Sequence, residues 1–567
     1  MSEQQDQNPY ANYEPSPPSS KTTPLSNKNQ QQQSSNKKSR QNSSRKKKEI
    51  NPMEIEQQKA LLENLRNDKN RVTVDDIVKE IPFGKFQVIM IFIFHLIYTA
   101  PSIVVYNYAY LLLYPSYLCP STADPTQFEH CSREQMCEQQ MNMGIHEDFQ
   151  YEVDWSSPYS LRNWIMKLGL ECSETYVIGL FGTLEFAGQL FACFVFPPLA
   201  DLVGRRVFTF IGLGMQTVVF VGLIAFKNFE LFYLLIFILG NAAIIRYLIV
   251  YAHLMEFVAS KQNLITGIFL FLDGLVYIYS PVLLIYFTKK TQYLVYLALG
   301  VSIAAVIMLA FTFHMPESLK FSLVKQDIMK FQNDMDYICT MNKSTEAQVD
   351  KINGLVEKYC DQVRQEAILV KKQKLSRTSL LRQILNDKES LKNLCLMIVC
   401  WSSTTFTYFL VIFYVKYLPG DIYTNQVVSG FSVFAYLAAP FMARKYDNRQ
   451  IMLFGNFVSF VFLIIMTILQ FIDVNAILYS FIFLLFKCGV TLVFLSLFII
   501  HTDLFHIQFL ATSYGICNIV SRLFTIAAPI VAEFENRLAP LLIMCIMNVF
   551  ALIATYYLKM RQQKVNT

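Results

Sequence analysis

Ala200-Asp201-Leu202-Val203-Gly204-Arg205-Arg206 places three charges in a short break between two apolar runs, at 176–199 and 207–226. Each run has about 20 residues, the length a helix needs to cross a hydrocarbon core. Outward from this pair, similar runs recur at 86–114, 231–255, 264–287 and 292–314, then at 393–415, 426–444, 451–472, 476–500, 511–532 and 537–558. They lack the alternating, roughly ten-residue pattern of a membrane barrel. The bulk composition agrees: 567 residues, 53% hydrophobic and 16% charged, with a mean hydropathy of +0.32, too apolar for an ordinary soluble enzyme. The expected fold is an all-α membrane protein with twelve transmembrane helices.

The landmarks repeat. Asp201 follows the second run and Asp447-Asn-Arg449 follows the eighth, 246 positions later; Glu256 ends the fourth and Asp503 the tenth, 247 positions later. One offset shared by two independent landmarks argues for two pseudo-symmetric six-helix halves. Parallel repeats of this kind belong to transporters that rock around a site near the bilayer midplane.

Charge placement sets sidedness. Lys and Arg crowd the N-terminal tail, the 204–206 break, the 315–392 connection and the C-terminus, whereas 116–175 holds Arg133, Arg162 and Lys167 against ten acidic residues. Basic flanks stay in the cytosol. The expected organisation is a disordered basic cytoplasmic tail at 1–52 and a cytoplasmic pre-helix at 53–85. The N-terminal half then spans 86–314 with an exofacial loop at 116–175, and a cytoplasmic helical linker at 315–392 leads to the C-terminal half at 393–558 and a tail at 559–567. In the linker, Ile328, Phe331, Met335 and Ile338 share one helical face, expected to pack beneath the bundle. Some 85 polar residues precede the first run, so no cleavable signal peptide is expected. Cys119, Cys131, Cys137 and Cys172 all fall in the exofacial loop. An even count outside the cell suggests two disulfides, with three pairings open.

Several motifs carry a family resemblance. The 200–206 stretch resembles the loop signature of the major facilitator superfamily, with Pro197 where that signature begins on Gly. Phe83-Gly-Lys-Phe-Gln87, Pro115-Ser-Tyr-Leu-Cys119, Leu418-Pro-Gly-Asp-Ile-Tyr423 and the run from Lys487 through Thr502-Asp-Leu-Phe505 to Ser521-Arg522 resemble the organic cation, anion and carnitine transporters within it. Pro316-Glu-Ser318 is shared with sugar porters. Departures are visible too: His506-Ile507 replaces a Pro-Thr pair after helix ten, Leu510 stands where an Arg is usual, and the second loop signature has lost its Gly and a basic residue. The resemblance implies a conformational latch of Asp201, Gly204, Arg205, Arg206 and Glu256, echoed by Asp447, Arg449 and Asp503, whose charge-assisted bonds form in one state and break in another.

Charges at membrane depth cost several kcal/mol unless they face a partner or a watery cavity. Lys487 and Arg522 lie mid-way along the tenth and eleventh runs, at positions that face the translocation path in the family. A guanidinium in a dry cavity favours a carboxylate or sulfonate. An organic anion or zwitterion is therefore expected, with Arg522 and Lys487 as counter-charges and Tyr408 and Phe406 lining the pocket. Asp273, Glu185, His253 and Arg246 are further intramembrane groups, readable as ion-coupling groups or as satisfied interhelical contacts. Walker, HExxH, zinc-spaced CxxC and GxSxG patterns are all missing. The expectation is a non-enzyme without metal or cofactor, moving a small organic ion through a lipid bilayer, with H+, Na+ or an exchanged anion as coupling ion and no nucleic-acid partner. The plasma membrane is the expected place, with an internal membrane as the alternative. The competing functions are a sugar porter, disfavoured by the Gln- and Asn-poor stretch Trp401–Tyr414, and a non-transporting scaffold that kept the fold.

Overall fold

The computed structural model describes residues 71–121, 127–142, 151–258, 262–312, 314–370, 388–472, 474–505 and 507–559. The expected tail at 1–52, the expected tail at 559–567 apart from Lys559, the start of the pre-helix and residues 371–387 of the linker lie outside the described residues. Among the described residues, eleven helices are long and apolar enough to cross a membrane. In chain order they are α1 (Lys85–Val105), α2 (Thr175–Val203), α3 (Arg205–Ala225), α4 (Phe229–Met255), α5 (Leu264–Tyr286), α6 (Gln292–Phe311) and α7 (Lys388–Tyr417). After the segment at 422–442, here called α8, follow α9 (Asn448–Phe471), α10 (Ala476–Leu504), α11 (Thr512–Ala532) and α12 (Leu538–Tyr557).

The α8 segment differs from the others because it is broken. Ile422–Gly430 and Phe434–Met442 are α-helical, and a 3-10 turn, Phe431–Val433, joins them. It packs along α5 and α10 over its whole length. Two other spans are irregular at the same depth. Inside α4 a π turn occupies Ile245–Val250, and α5 breaks at Leu275, after Gly274. The broken segments meet: a Cβ on Gly274 would lie 2.4 Å from Val433 Cγ1. Irregular backbone at membrane depth is tolerated only where it is buried in protein or lines a cavity, so these three breaks together mark the centre of the molecule.

Small residues set the tightest helix pair. A Cβ on Gly188 would sit 2.1 Å from Phe237 O, and one on Gly240 would sit 2.0 Å from Glu185 O. No side chain other than hydrogen fits between α2 and α4 there, the usual device by which membrane helices approach closely.

The loop between α1 and α2 forms a small sheet in the order β2-β1-β3, all antiparallel, from Tyr117–Pro120, Phe128–Cys131 and Glu152–Val153. Of the three pairings open from sequence, the structure adopts Cys119–Cys131 and Cys137–Cys172. At the opposite end, helix Ile328–Asn342 turns Phe331, Met335 and Ile338 into a core shared with Phe86 of α1, while Ile328 is partly buried against it. The short helix Val74–Lys79, capped by Thr73, is tied to this connection by ion pairs Lys320–Asp75 and Lys351–Glu80.

Candidate functional site

The disulfide-bearing loop marks one face of the bundle, the loop side; α1 starts at the other, the tail side. Contacts between the two halves gather on the loop side. Tyr110 stacks on Tyr423 and Tyr108 on Phe413, with ring centroids 5.2 and 5.1 Å apart. Tyr423 OH donates to Pro158 O at 2.9 Å, Gln426 Nε2 to Tyr106 O at 3.2 Å, and Thr183 Oγ1 to Ile526 O at 3.1 Å. Lys416 Nζ pairs with Glu533 Oε1 at 2.7 Å, with both side chains almost wholly buried, and also donates to Leu112 O of the other half at 3.1 Å. Tyr417 OH completes the cluster by donating to Glu533 Oε2.

Beneath this closure lies a cavity with about 50 Å³ of space for water centres. At roughly 10–15 Å³ per water it holds a few waters, so this is a narrowed form of any substrate site. Its walls come from both halves: Tyr106, Tyr247 and Asp273 on one side, Tyr408, Ser432, Lys487 and Arg522 on the other. Tyr251 near the end of α4 and Thr266 near the start of α5 also line it, which places its lower part toward the tail side.

Two cations face this space. Arg522 is buried, and its Nε and Nη1 have no hydrogen-bond partner among the described residues. Its guanidinium carbon stands 5.6 Å from the Phe409 ring centroid and 6.0 Å from that of Tyr247. Lys487 Nζ sits 3.9 Å above the Tyr277 ring and 3.5 Å from Ser429 Oγ. Neither matches the tight pairing with Glu185 or Asp273 that would make it purely structural. Tyr408 lines the cavity and stacks on Phe494 at 4.9 Å. Phe406 does not: it is buried in the helix core, and Phe409, about one turn on, lines the cavity instead. The hydroxyl residues Ser402, Ser403, Thr404, Thr405 and Thr407 run all round the helix here, so no single polar face fixes its rotation.

At the tail side, Arg205 forms an ion pair with Glu256 at 2.7 Å and approaches Asp201 at 3.8 Å. Glu317, read before only as part of a shared motif, is central here. Its Oε1 accepts from the backbone N–H groups of Arg205 at 2.9 Å, Arg206 at 3.1 Å and Ser318 at 3.0 Å. A carboxylate there caps the N-terminus of α3 and meets its dipole. Gly204, with φ +116°, leaves room for it, since a Cβ would come within 2.4 Å of Glu317 Oε2. Ser318 Oγ also donates to Glu256. Burial pushes the Glu256 carboxyl above its ordinary range against the opposing pull of Arg205. Asp201 to Arg206 and Glu256 belong to the N-terminal half, and Glu317 and Ser318 to the start of the 315–392 connection, so in this state the cluster ties that connection to the tail end of the first half.

The echo in the second half takes another form. Asp447, Arg449 and Asp503 are not joined to one another: Asp447 caps α9 in a reciprocal pair with Gln450, and Arg449 donates to Thr555 O and Tyr556 O. Asn448 Nδ2, instead, reaches Asp503 Oδ2 at 2.7 Å. A neutral amide has taken the place expected for a cation.

Residues 154–529 match the Major Facilitator Superfamily. The chain belongs to this superfamily. Mouse solute carrier family 22 member 4 is 23% identical over 403 residues, 69% of each chain. Human organic cation/carnitine transporter 2 is 22% identical over 428 residues, covering 71% of this chain and 70% of the relative. The xylose transporter XylE of E. coli in its inward-open form has the same fold, with a TM-score of 0.56 at 9% identity over 84% of this chain and 97% of that one. Its complex with 6-bromo-6-deoxy-D-glucose gives a TM-score of 0.52 at 11% identity, over 83% and 96%. As a superfamily member the chain is an integral, multi-pass membrane transporter. Sequence reasoning missed Glu317 and the Lys416–Glu533 pair on this scaffold. Lys416 and Glu533 close apolar runs that end on one face, and opposite charges at such ends are a readable signal.

Proposed function

We propose that this chain carries small organic anions or zwitterions by alternating access, with Arg522 and Lys487 as counter-charges and Tyr408 in the wall of the site. One observation carries the reading: mid-way along α11 a cavity shared by both halves presents a guanidinium whose Nε and Nη1 lack partners among the described residues. A buried charge of this kind is costly unless something else meets it, and a carboxylate or sulfonate does so by paired charge-assisted bonds. The aromatic lining suits an aryl group or a quaternary ammonium. The likeness to a protein named organic cation/carnitine transporter 2 supports a zwitterion such as carnitine, with the organic cation of that name as the competing substrate class.

In this reading 86–314 and 393–558 are the rocking halves and the 315–392 connection tethers them. Asp201, Gly204, Arg205, Arg206 and Glu256 hold the tail end of the first half, and Asp447, Arg449 and Asp503 serve the second more weakly. Both termini are cytoplasmic, the disulfide loop is exofacial, and the plasma membrane is the place of action. The test is uptake into proteoliposomes of a labelled aryl carboxylate, a quaternary ammonium and a betaine. Saturable uptake of the carboxylate or betaine, lost in Arg522→Asp, is expected. Uptake of the quaternary ammonium alone would overturn the assignment of Arg522.

A further inference from the structure

The cavity holds a third ionisable group that the counter-charge reading leaves unused. Asp273 lies near the middle of α5, is 1% exposed, and lines the cavity. Its Oδ2 accepts from Tyr106 OH at 2.9 Å, and its Oδ1 has no hydrogen-bond partner among the described residues. A lone carboxylate at this depth carries a large desolvation cost in its charged form.

The surrounding groups restrict what can relieve it. The titratable neighbours are Arg246 on α4, His95 on α1, and, across the cavity, Lys487 and Arg522, and the Ser102 hydroxyl of α1 also faces the carboxylate. Arg246 Nη1 is committed to Tyr98 O at 2.5 Å and Ser102 Oγ at 2.9 Å, and its guanidinium lies over the rings of Tyr98 and Tyr247; its Nε and Nη2 have no hydrogen-bond partner among the described residues, so its charge acts on Asp273 from a distance and not through a direct ion pair. Other faces present the hydroxyls of Tyr98, Tyr106, Tyr247, Tyr277, Tyr408 and Tyr436. A hard metal cation takes several oxygen ligands at once, and cationic neighbours oppose it. A proton needs one oxygen.

We propose that Asp273 is a proton-binding site that couples proton entry to anion transport, an inference that rests on the anion reading above. The step is a protonation, carboxylate plus solvent proton giving the neutral carboxyl. It removes the only negative charge among the lining groups and leaves Arg522 and Lys487 to hold an anion, so a monoanion and a proton move together without net charge. Asp273 adjoins Gly274, whose backbone packs on Val433 of α8. The protonation event therefore sits directly on the seam where the two halves meet at their broken helices.

Two measurements on the full-length purified chain separate this proposal from the substrate reading. Infrared difference spectra between acid and alkaline pH, without substrate, should show a protonated carboxyl band that Asp273→Asn abolishes, Asp273→Glu shifts and Glu185→Gln leaves in place. In proteoliposomes, labelled p-toluenesulfonate is the transport probe, since a sulfonate stays ionised and cannot carry the proton itself. An inward proton gradient should accumulate it by up to about tenfold per pH unit. Asp273→Asn should bring the steady-state ratio to one, and Asp273→Glu should restore accumulation. Gradient-driven accumulation that survives Asp273→Asn, or a carboxyl band indifferent to it, overturns the proposal. An Asp273-dependent band without any sulfonate uptake supports the proton site and sinks the substrate reading.

Discussion

Lys416 offers the sharpest handle on the conformational balance, because one ammonium makes two unlike contacts. Its bond with Glu533 lies within the C-terminal half; its bond to Leu112 O crosses to the other half. Lys416→Met keeps the stem and removes both. Stranding Glu533 in a buried position costs about 3–5 kcal/mol of stability, and adding Glu533→Gln should recover much of that. The cross-half bond is a separate quantity. A hydrogen bond from a charged donor contributes about 1.5–3 kcal/mol, and it exists only while the loop side is closed. Losing it should raise the loop-side-open fraction about 10- to 150-fold. The assay uses a chain in which the eight unpaired cysteines are replaced and Ser432→Cys reports from the cavity wall. An impermeant thiol reagent added on the loop side should label it faster by that factor in Lys416→Met, and equally fast in the double variant. A labelling rate unchanged from the parent would refute the gate, and a fast rate that reverts in the double variant would show that instability alone was responsible.

Three further outcomes are expected. Gly240→Ala forces a methyl against Glu185 O and should lower stability by about 1–3 kcal/mol, read as a fall in thermal midpoint in detergent, whereas Gly300→Ala, with open space at its Cβ, should not. Glu317→Gln keeps an acceptor at the start of α3 but removes its charge, which should cost about 0.3–2 kcal/mol and diminish as salt is raised. Because burial raises Glu256, the folded chain binds that proton more tightly than the unfolded one. The stability from this group is therefore full in acid, below its unfolded value, and is lost as pH climbs through the raised one. Thermal midpoints of Glu256→Gln against pH should lack that component; an unchanged slope would count against it.

Most of the fold was legible because apolar runs of membrane length are separated by short charged breaks. The break in α8 was not, since Gly430-Phe-Ser-Val433 holds no proline and its turn lies in the interior against α10 and α5, partners that come from distant parts of the chain. Arg522 and Lys487 stood out from sequence for an energetic reason: a charge is rare at membrane depth whatever its neighbours. What each faces was hidden, because Tyr247, Tyr277 and Phe409 come from three other helices. Phe406 and Phe409 differ by less than a turn, and rotation about a helix that is buried on nearly all sides leaves no polar stripe to fix it. Glu317 looked like an ordinary turn residue because its partners are backbone amides, which leave no trace in a sequence pattern. The pairing of Asp503 with Asn448 instead of Arg449 turns on a single residue of register at the start of α9.

The duplicated halves are alike in outline but unequal in stiffness. Thr175–Val203 is one helix of 29 residues with its prolines, Pro197 and Pro198, near its tail-side end; ahead of them it is clamped backbone to backbone against α4 at Gly188 and Gly240, while its counterpart at 422–442 is two short rods joined by a 3-10 elbow. A load applied across the pair is taken up mostly by the more compliant member, where hydrogen-bond continuity is already interrupted. On the alternating-access reading, a swing of one half past the other is expected to have its elbow on the α8 side, with the clamped stretch of α2 and α4 around Gly188 and Gly240 moving as a unit.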